Sequence, residues 1–262
     1  MLLEGTNAIV FAATGAIGSA VAREFGAAGA ALFVSGRSAE AVAELREALE
    51  AAGLRAEGAV VDATDEEAVT AWVSRVLGVA GHLDVAFNAI GLRAAEGAYA
   101  TPATDLSLAD FLRPMGVIVA SQFLTARAVA PHMVARGSGS IVTLSASLSG
   151  LPVPYMAGLT AACGAVEAMT RSLAGEFGPA GVRVNCVRAG GMPETRTIEE
   201  TTSRMRAALG LPEHAQPPGF DNAMGRPVTV TETARTVALL GSTATSGMTG
   251  QVVNVCGGQL IG

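Results

Sequence analysis

Residues 7–18 read Asn7-Ala8-Ile9-Val10-Phe11-Ala12-Ala13-Thr14-Gly15-Ala16-Ile17-Gly18, an apolar run that ends in a turn of small residues and leads into a helical pattern. In such a strand–turn–helix the glycines matter because a Cβ on the turn would occupy the space that a pyrophosphate takes at the helix N-terminus, where backbone N–H groups lack intrahelical partners. Gly15 and Gly18 are in place, while Ala12 stands where the first glycine of such a turn is expected. Taken alone, the stretch also reads as a tight βα turn with no ligand; its neighbours favour the nucleotide.

Outward from it, short apolar runs rich in β-branched residues recur. They predict strands at 7–13, 31–35, 56–61, 84–87, 139–145, 181–186 and 251–255. Between them lie segments with an apolar residue every three or four positions, including a long one from Leu108 to Ala135 and a small-residue-rich one at 157–178. Alternation of this kind predicts an α/β fold with a parallel sheet buried on both faces. No linker or low-complexity tract divides the 262 residues, so one domain over 1–262 is expected. The irregular stretch is about 190–228, dense in Gly and Pro around a helical pattern at 197–209. A loop of that length inside a compact domain is usually functional, and a substrate lid is expected there.

The second strand ends in Ser35-Gly36-Arg37-Ser38. A site selective for NAD usually carries a carboxylate at this point for the ribose hydroxyls, whereas Gly36 followed by Arg37 leaves room and positive charge for a 2′-phosphate. NADP(H) is therefore favoured over NAD(H), with Arg37 as an ordinary solvated residue at a helix start being the alternative. After the third strand comes Val61-Asp62-Ala63-Thr64-Asp65, in which Asp62 can accept from an adenine amino group and Asp65 caps the next helix. After the fourth comes Asn88-Ala89-Ile90-Gly91, a turn suited to line the adenosine ribose.

The turn at 12–18, Gly36-Arg37, Val61-Asp62, Asn88-Ala89-Ile90-Gly91, the segment Gly139–Ser147 and the tail Met248–Val255 together resemble the short-chain dehydrogenase/reductase family over essentially the whole chain. The resemblance implies a Rossmann-type, doubly wound sheet of about seven strands with helices on both faces. It implies a cofactor site built from Ala12, Thr14, Gly15, Ile17 and Gly18 on the first turn, then Arg37, Asp62, Ala63, Asn88, Ala89 and Gly91, with Cys163 and Gly190 beside the nicotinamide. In that family a tyrosine exchanges the proton during hydride transfer. A lysine four residues later lowers its pKa, a serine polarises the carbonyl, and an asparagine supports a relay water. Carried onto this sequence, the serine is Ser147, but the tyrosine position is Leu159, the lysine position Cys163 and the asparagine position Ile118.

No lysine can stand in from elsewhere, because all 17 basic residues are arginine. Since general acid–base catalysis is worth on the order of 10² to 10⁴ in rate, ordinary ketoreduction is disfavoured. Tyr155, four residues before Leu159, is the first replacement acid considered, as a displaced phenol or as pocket wall. Tyr99, in a segment able to overhang the site, is the fallback. His214 reads as an exposed lid residue or a group reaching substrate from above, and Arg188 either brings positive charge toward the cofactor or pairs with a carboxylate.

A net charge of −6 with only 15% charged residues argues against nucleic-acid or anionic-membrane partners. Three widely spaced cysteines, Cys163, Cys186 and Cys256, fit free thiols in a reducing compartment better than a disulfide framework or a metal site. The start of the chain has no secretory pattern, so a soluble cytoplasmic protein is expected. The functional expectation is an enzyme acting on a hydrophobic, conjugated or aromatic carbonyl compound by altered chemistry, either redox or a non-redox cyclase, isomerase or dehydratase. A catalytically silent subunit paired with an active relative is the alternative. The family resemblance implies a homo-oligomer, dimer or tetramer.

Overall fold

The computed structural model describes residues 1–261. Seven parallel strands, β1 (Asn7–Phe11), β2 (Ala31–Gly36), β3 (Ala56–Val60), β4 (Val85–Asn88), β5 (Gly139–Ala146), β6 (Val182–Ala189) and β7 (Val252–Val255), form one sheet in the order β3-β2-β1-β4-β5-β6-β7. The helices are α1 (Ala16–Ala27), α2 (Ala39–Ala51), α3 (Glu66–Ala80), α4 (Leu108–Pro114), α5 (Ala120–Arg136), α6 (Ala157–Phe177), α7 (Arg196–Leu209) and α8 (Val230–Gly241). Strand order reverses between β1 and β4, whose ends pair at Phe11 and Asn88. A crevice opens at such a reversal beyond the carboxyl ends of the strands.

Both faces of the sheet are covered. On one, Val21 and Phe25 of α1, Leu45 and Leu49 of α2 and Val237 and Leu240 of α8 pack on Val10, Leu32, Val34 and Val187. On the other, Trp72, Val73 and Val76 of α3, Val129 and Met133 of α5 and Leu173 of α6 pack on Ile9, Phe11, Phe33, Ile141 and Val184. Burial of these side chains, worth roughly 1.5–3 kcal/mol each, explains why the strands read as continuous apolar runs.

The helix expected over Leu108–Ala135 is present with an interruption. Pro114 has no N–H to donate and its ring crowds the preceding turn, and the next five residues, Met115–Val119, widen into a π-helical turn before α5 resumes. The span Leu108–Arg136 is long and apolar enough to cross a membrane by length and composition, but here its inner face packs on α3, α6 and the sheet. Gly158 of α6 lets α4 approach, since a Cβ there would lie 2.9 Å from the Phe111 carbonyl oxygen. Helix α8, which sequence patterning did not single out, begins at a reciprocal cap between Thr229 and Glu232.

Candidate active site

Above the carboxyl ends of the strands lies a cavity of about 460 Å³, reaching from the 12–18 turn to α7. At one end β1 stops at Phe11 because Ala12 turns into the left-handed region at φ 53°. That position suits glycine, and alanine pays a steric cost of roughly 1–2 kcal/mol there. Helix α1 then starts at Gly15 with no side-chain oxygen capping it, so its first N–H groups face the cavity. The two glycines have different reasons. A Cβ on Gly15 would meet only the Ala12 carbonyl oxygen at 3.8 Å, leaving the cradle open, whereas one on Gly18 would come within 2.5 Å of that oxygen, so Gly18 is required for helix and turn to meet. Gly36 serves Thr14, whose Cγ2 and Oγ1 lie 2.7 Å from where a Cβ would be.

Thr14, Gly15, Ile17, Gly18, Arg37, Ala63, Ala89, Gly91, Cys163 and Gly190 all line the cavity together with Ala12. An open cradle at a helix N-terminus, followed by Arg37, fits a dinucleotide carrying phosphate groups. Two residues expected in that set do not line the cavity. Asn88 is buried, its side-chain amide N–H donating to Thr125 Oγ1 (3.1 Å) and its side-chain Oδ1 accepting from the Ile90 N–H (2.8 Å). It shapes the turn that presents Ala89 and Gly91. Asp62 accepts from the Thr64 N–H (2.9 Å) and hydroxyl (2.7 Å). Those bonds, against a small opposing effect of burial and with help from nearby Arg37, hold its carboxyl below the usual value.

At the other end Ser147, Leu159, Cys163 and Ile118 come together in the wall, with Met156, Met192, Ile198, Met205 and Phe220 beyond them. The π-helical turn places Ile118 there, and α6 presents Leu159 and Cys163 one turn apart. The Ser147 hydroxyl donates to Gln259 Oε1 at 2.9 Å. Burial pushes the Cys163 thiol up to about 12, so it is not a thiolate at neutral pH. Tyr155 does not join this group. Its backbone is left-handed (φ 62°), its carbonyl accepts the Thr101 N–H, and it lines a separate small recess with Leu106 and Asp110. Tyr99 lines the cavity instead, whereas His214 does not reach it. Among the described residues no Asp, Glu or His lines the cavity; its ionisable side chains are Arg37, Arg93, Arg196, Tyr99 and Cys163.

Arg188 takes the carboxylate-paired form. One residue behind the wall, Glu167 of α6 accepts from Arg188 Nε (2.8 Å), Ser145 Oγ (2.9 Å) and Ser149 Oγ (2.6 Å), and Arg188 also donates to Asn254 Oδ1 (3.1 Å). Burial works to raise the Glu167 carboxyl, but the bonds from Arg188, Ser149 and Ser145 outweigh it and hold it low. Over the cavity mouth, α7 from the 190–228 stretch is tied to the segment after β4 by Arg93 Nη2 on Glu200 Oε1 (2.7 Å), with Arg196 Nε on the same oxygen (2.9 Å).

Comparison with known proteins agrees with this architecture. Residues 11–259 match the family model described as enoyl-(acyl carrier protein) reductase. The chain is 32% identical to gluconate 5-dehydrogenase of Gluconobacter oxydans (strain 621H), over 98% of this chain and 95% of that one. Its structure is similar to that of NAD+-bound xylitol dehydrogenase, with TM-score 0.89 and 27% identity over 98% and 100% of the two chains. It is also similar to 7α-hydroxysteroid dehydrogenase complexed with NADH and 7-oxo glycochenodeoxycholic acid, with TM-score 0.84 and 25% identity over 99% and 97%. The chain belongs to the short-chain dehydrogenase/reductase family of oxidoreductases, whose members compared here are small-molecule dehydrogenases and reductases.

Proposed function

We propose that this chain binds NADP(H) and reduces a hydrophobic carbonyl compound, conjugated or aromatic, without the tyrosine–lysine pair of its family. The observation that carries the reading is the cavity itself, which joins a phosphate cradle and Arg37 at one end to a wall of Ile118, Met156, Leu159, Met192 and Phe220 at the other. When bound, the reduced dinucleotide supplies a hydride, one hydrogen with two electrons, to the carbonyl carbon. The turn at 12–18 and Arg37 would hold it, and the apolar wall orients a flat substrate. Helix α7 with its Arg93–Glu200 tie acts as a lid.

With no carboxylate or imidazole in the wall, the proton that completes the alcohol comes from water. The same lack disfavours cyclase, isomerase or dehydratase chemistry, which needs a positioned acid or base at carbon. A catalytically silent subunit is the second reading, favoured by Leu108, Leu112, Phe123 and Val134, which leave an apolar stripe exposed on α4 and α5.

Fluorescence titration with NADPH and NADH tests the cofactor assignment. NADPH should bind the more tightly, and Arg37→Ala should remove most of that preference. Equal affinities in the unmodified protein would refute it. Turnover of a small polar alcohol with NADP+ at ordinary enzyme rates would refute the substrate assignment.

A further inference from the structure

The cavity wall offers one phenol O–H besides the hydroxyls of Ser145, Ser147 and the threonines, and that phenol is held with unusual care. Tyr99 is 3% exposed, packed among Leu92, Ala94 and Met156 and against Leu159. Its ring packs against Gly97, where a Cβ would come within 2.2 Å of Cε1 and 2.8 Å of Cζ. Four residues other than glycine have positive φ, and two of them flank this tyrosine, Ala98 at 51° and Ala100 at 63°. A third, Tyr155 at 62°, receives the Thr101 N–H that closes the segment. Left-handed alanines are costly and persist where surrounding contacts over-determine them, and such strain clusters at functional sites.

The phenol has no hydrogen-bond partner among the described residues, in contrast to Ser147, which is engaged by Gln259. A buried tyrosine hydroxyl ordinarily finds a partner; Tyr99 borders both the cavity and the small recess of Asp110 and Tyr155, and it bonds neither of those residues, which leaves a ligand in the cavity as the partner. Burial, with Cys163 and Glu96 nearby, raises its pKa well above the usual value. It therefore stays protonated at every ordinary pH, a poor base and a permanent donor.

Resting on the carbonyl-reductase reading above, we infer that Tyr99, packed against Leu159 at the start of α6, donates a hydrogen bond to the substrate's carbonyl oxygen and replaces the phenol that Leu159 lacks. The hydrogen bond polarises and positions the carbonyl, and no proton need leave the tyrosine.

The test uses acetophenone bound to the full-length protein with NADP+, a complex that cannot react, and the infrared stretch of its 13C-labelled carbonyl. In the unmodified protein the band should lie below its position in hydrocarbon solvent. Tyr99→Phe should return it toward that position and weaken acetophenone binding about 3- to 10-fold, the equivalent of one hydrogen bond, with NADPH affinity unchanged. Tyr155→Phe should alter neither. If Tyr99→Phe fails to fold, a fluorinated tyrosine installed at position 99 keeps the packing and makes a stronger donor, so the band should move further down. A band or affinity indifferent to these changes, in a protein that binds both NADPH and acetophenone, overturns the role of Tyr99 and leaves the functional reading intact. Failure of the unmodified protein to bind acetophenone overturns that reading, and the Tyr99 assignment with it.

Discussion

Leu159 and Cys163 sit one helical turn apart on the face of α6 that borders the cavity, and neither can exchange a proton at neutral pH. Their geometry nevertheless matches what a phenol and an ammonium four residues apart would need. The double substitution Leu159→Tyr with Cys163→Lys is therefore expected to raise NADPH-dependent reduction of an aryl ketone by on the order of 10²-fold or more, while each single change does little. Steady-state rates for the four proteins check this, and comparable activity in the unmodified chain would refute it. At this scale the sequence was legible where a position follows from residue type, as at Gly18, where helix and turn meet, and Arg37, which lines the cavity. It was illegible where the backbone decides. Nothing in Pro154-Tyr155 announces a left-handed tyrosine, so the sequence favoured Tyr155 over Tyr99, and nothing in Asn88 shows that Thr125 will claim its amide.

At the scale of elements, α6 and β6 are joined by Glu167 and Arg188, both largely buried. Removing one charge from a buried pair leaves the other uncompensated, so Glu167→Gln is expected to cost on the order of 3 kcal/mol in chemical denaturation at neutral pH. Because the folded-state carboxyl titrates below its ordinary value of 4.5, the pair's contribution is complete above about pH 5 and is lost as pH falls through the folded-state value. Glu167→Gln should therefore show a flatter acid limb than the unmodified protein, and parallel limbs would contradict the assignment. The seven strands were readable because both-face burial writes itself as apolar runs, while their ends moved by up to three residues, β1 stopping early at Phe11 where Ala12 turns and β6 running on to Ala189. The π-helical turn at 115–119 left no such trace, since it is a change of hydrogen-bond register inside an uninterrupted apolar pattern. Helix α8 did leave one, in Thr229 and Glu232 three residues apart.

For the molecule as a whole, the apolar stripe on α4 and α5 bears on assembly. Leu108 is 72% exposed and Leu112 48%, beside Phe123 and Val134, a density that usually marks a contact surface. Light scattering is expected to find a dimer or tetramer, and Leu108→Glu with Leu112→Glu to shift it toward monomer. A monomer for the unmodified protein at micromolar concentration would count against that surface.

Because Glu167 and Arg188 neutralise each other at contact distance, what reaches a ligand beyond Ser145 is the faint field of a closed dipole and not the pull of a free cation. An anion concentrated on a single oxygen would gain little there. A ketone whose own electron-withdrawing substituents draw density off that oxygen asks for less, so reactivity in this pocket should rank ketones by the inductive pull of their substituents more than by how well they fit.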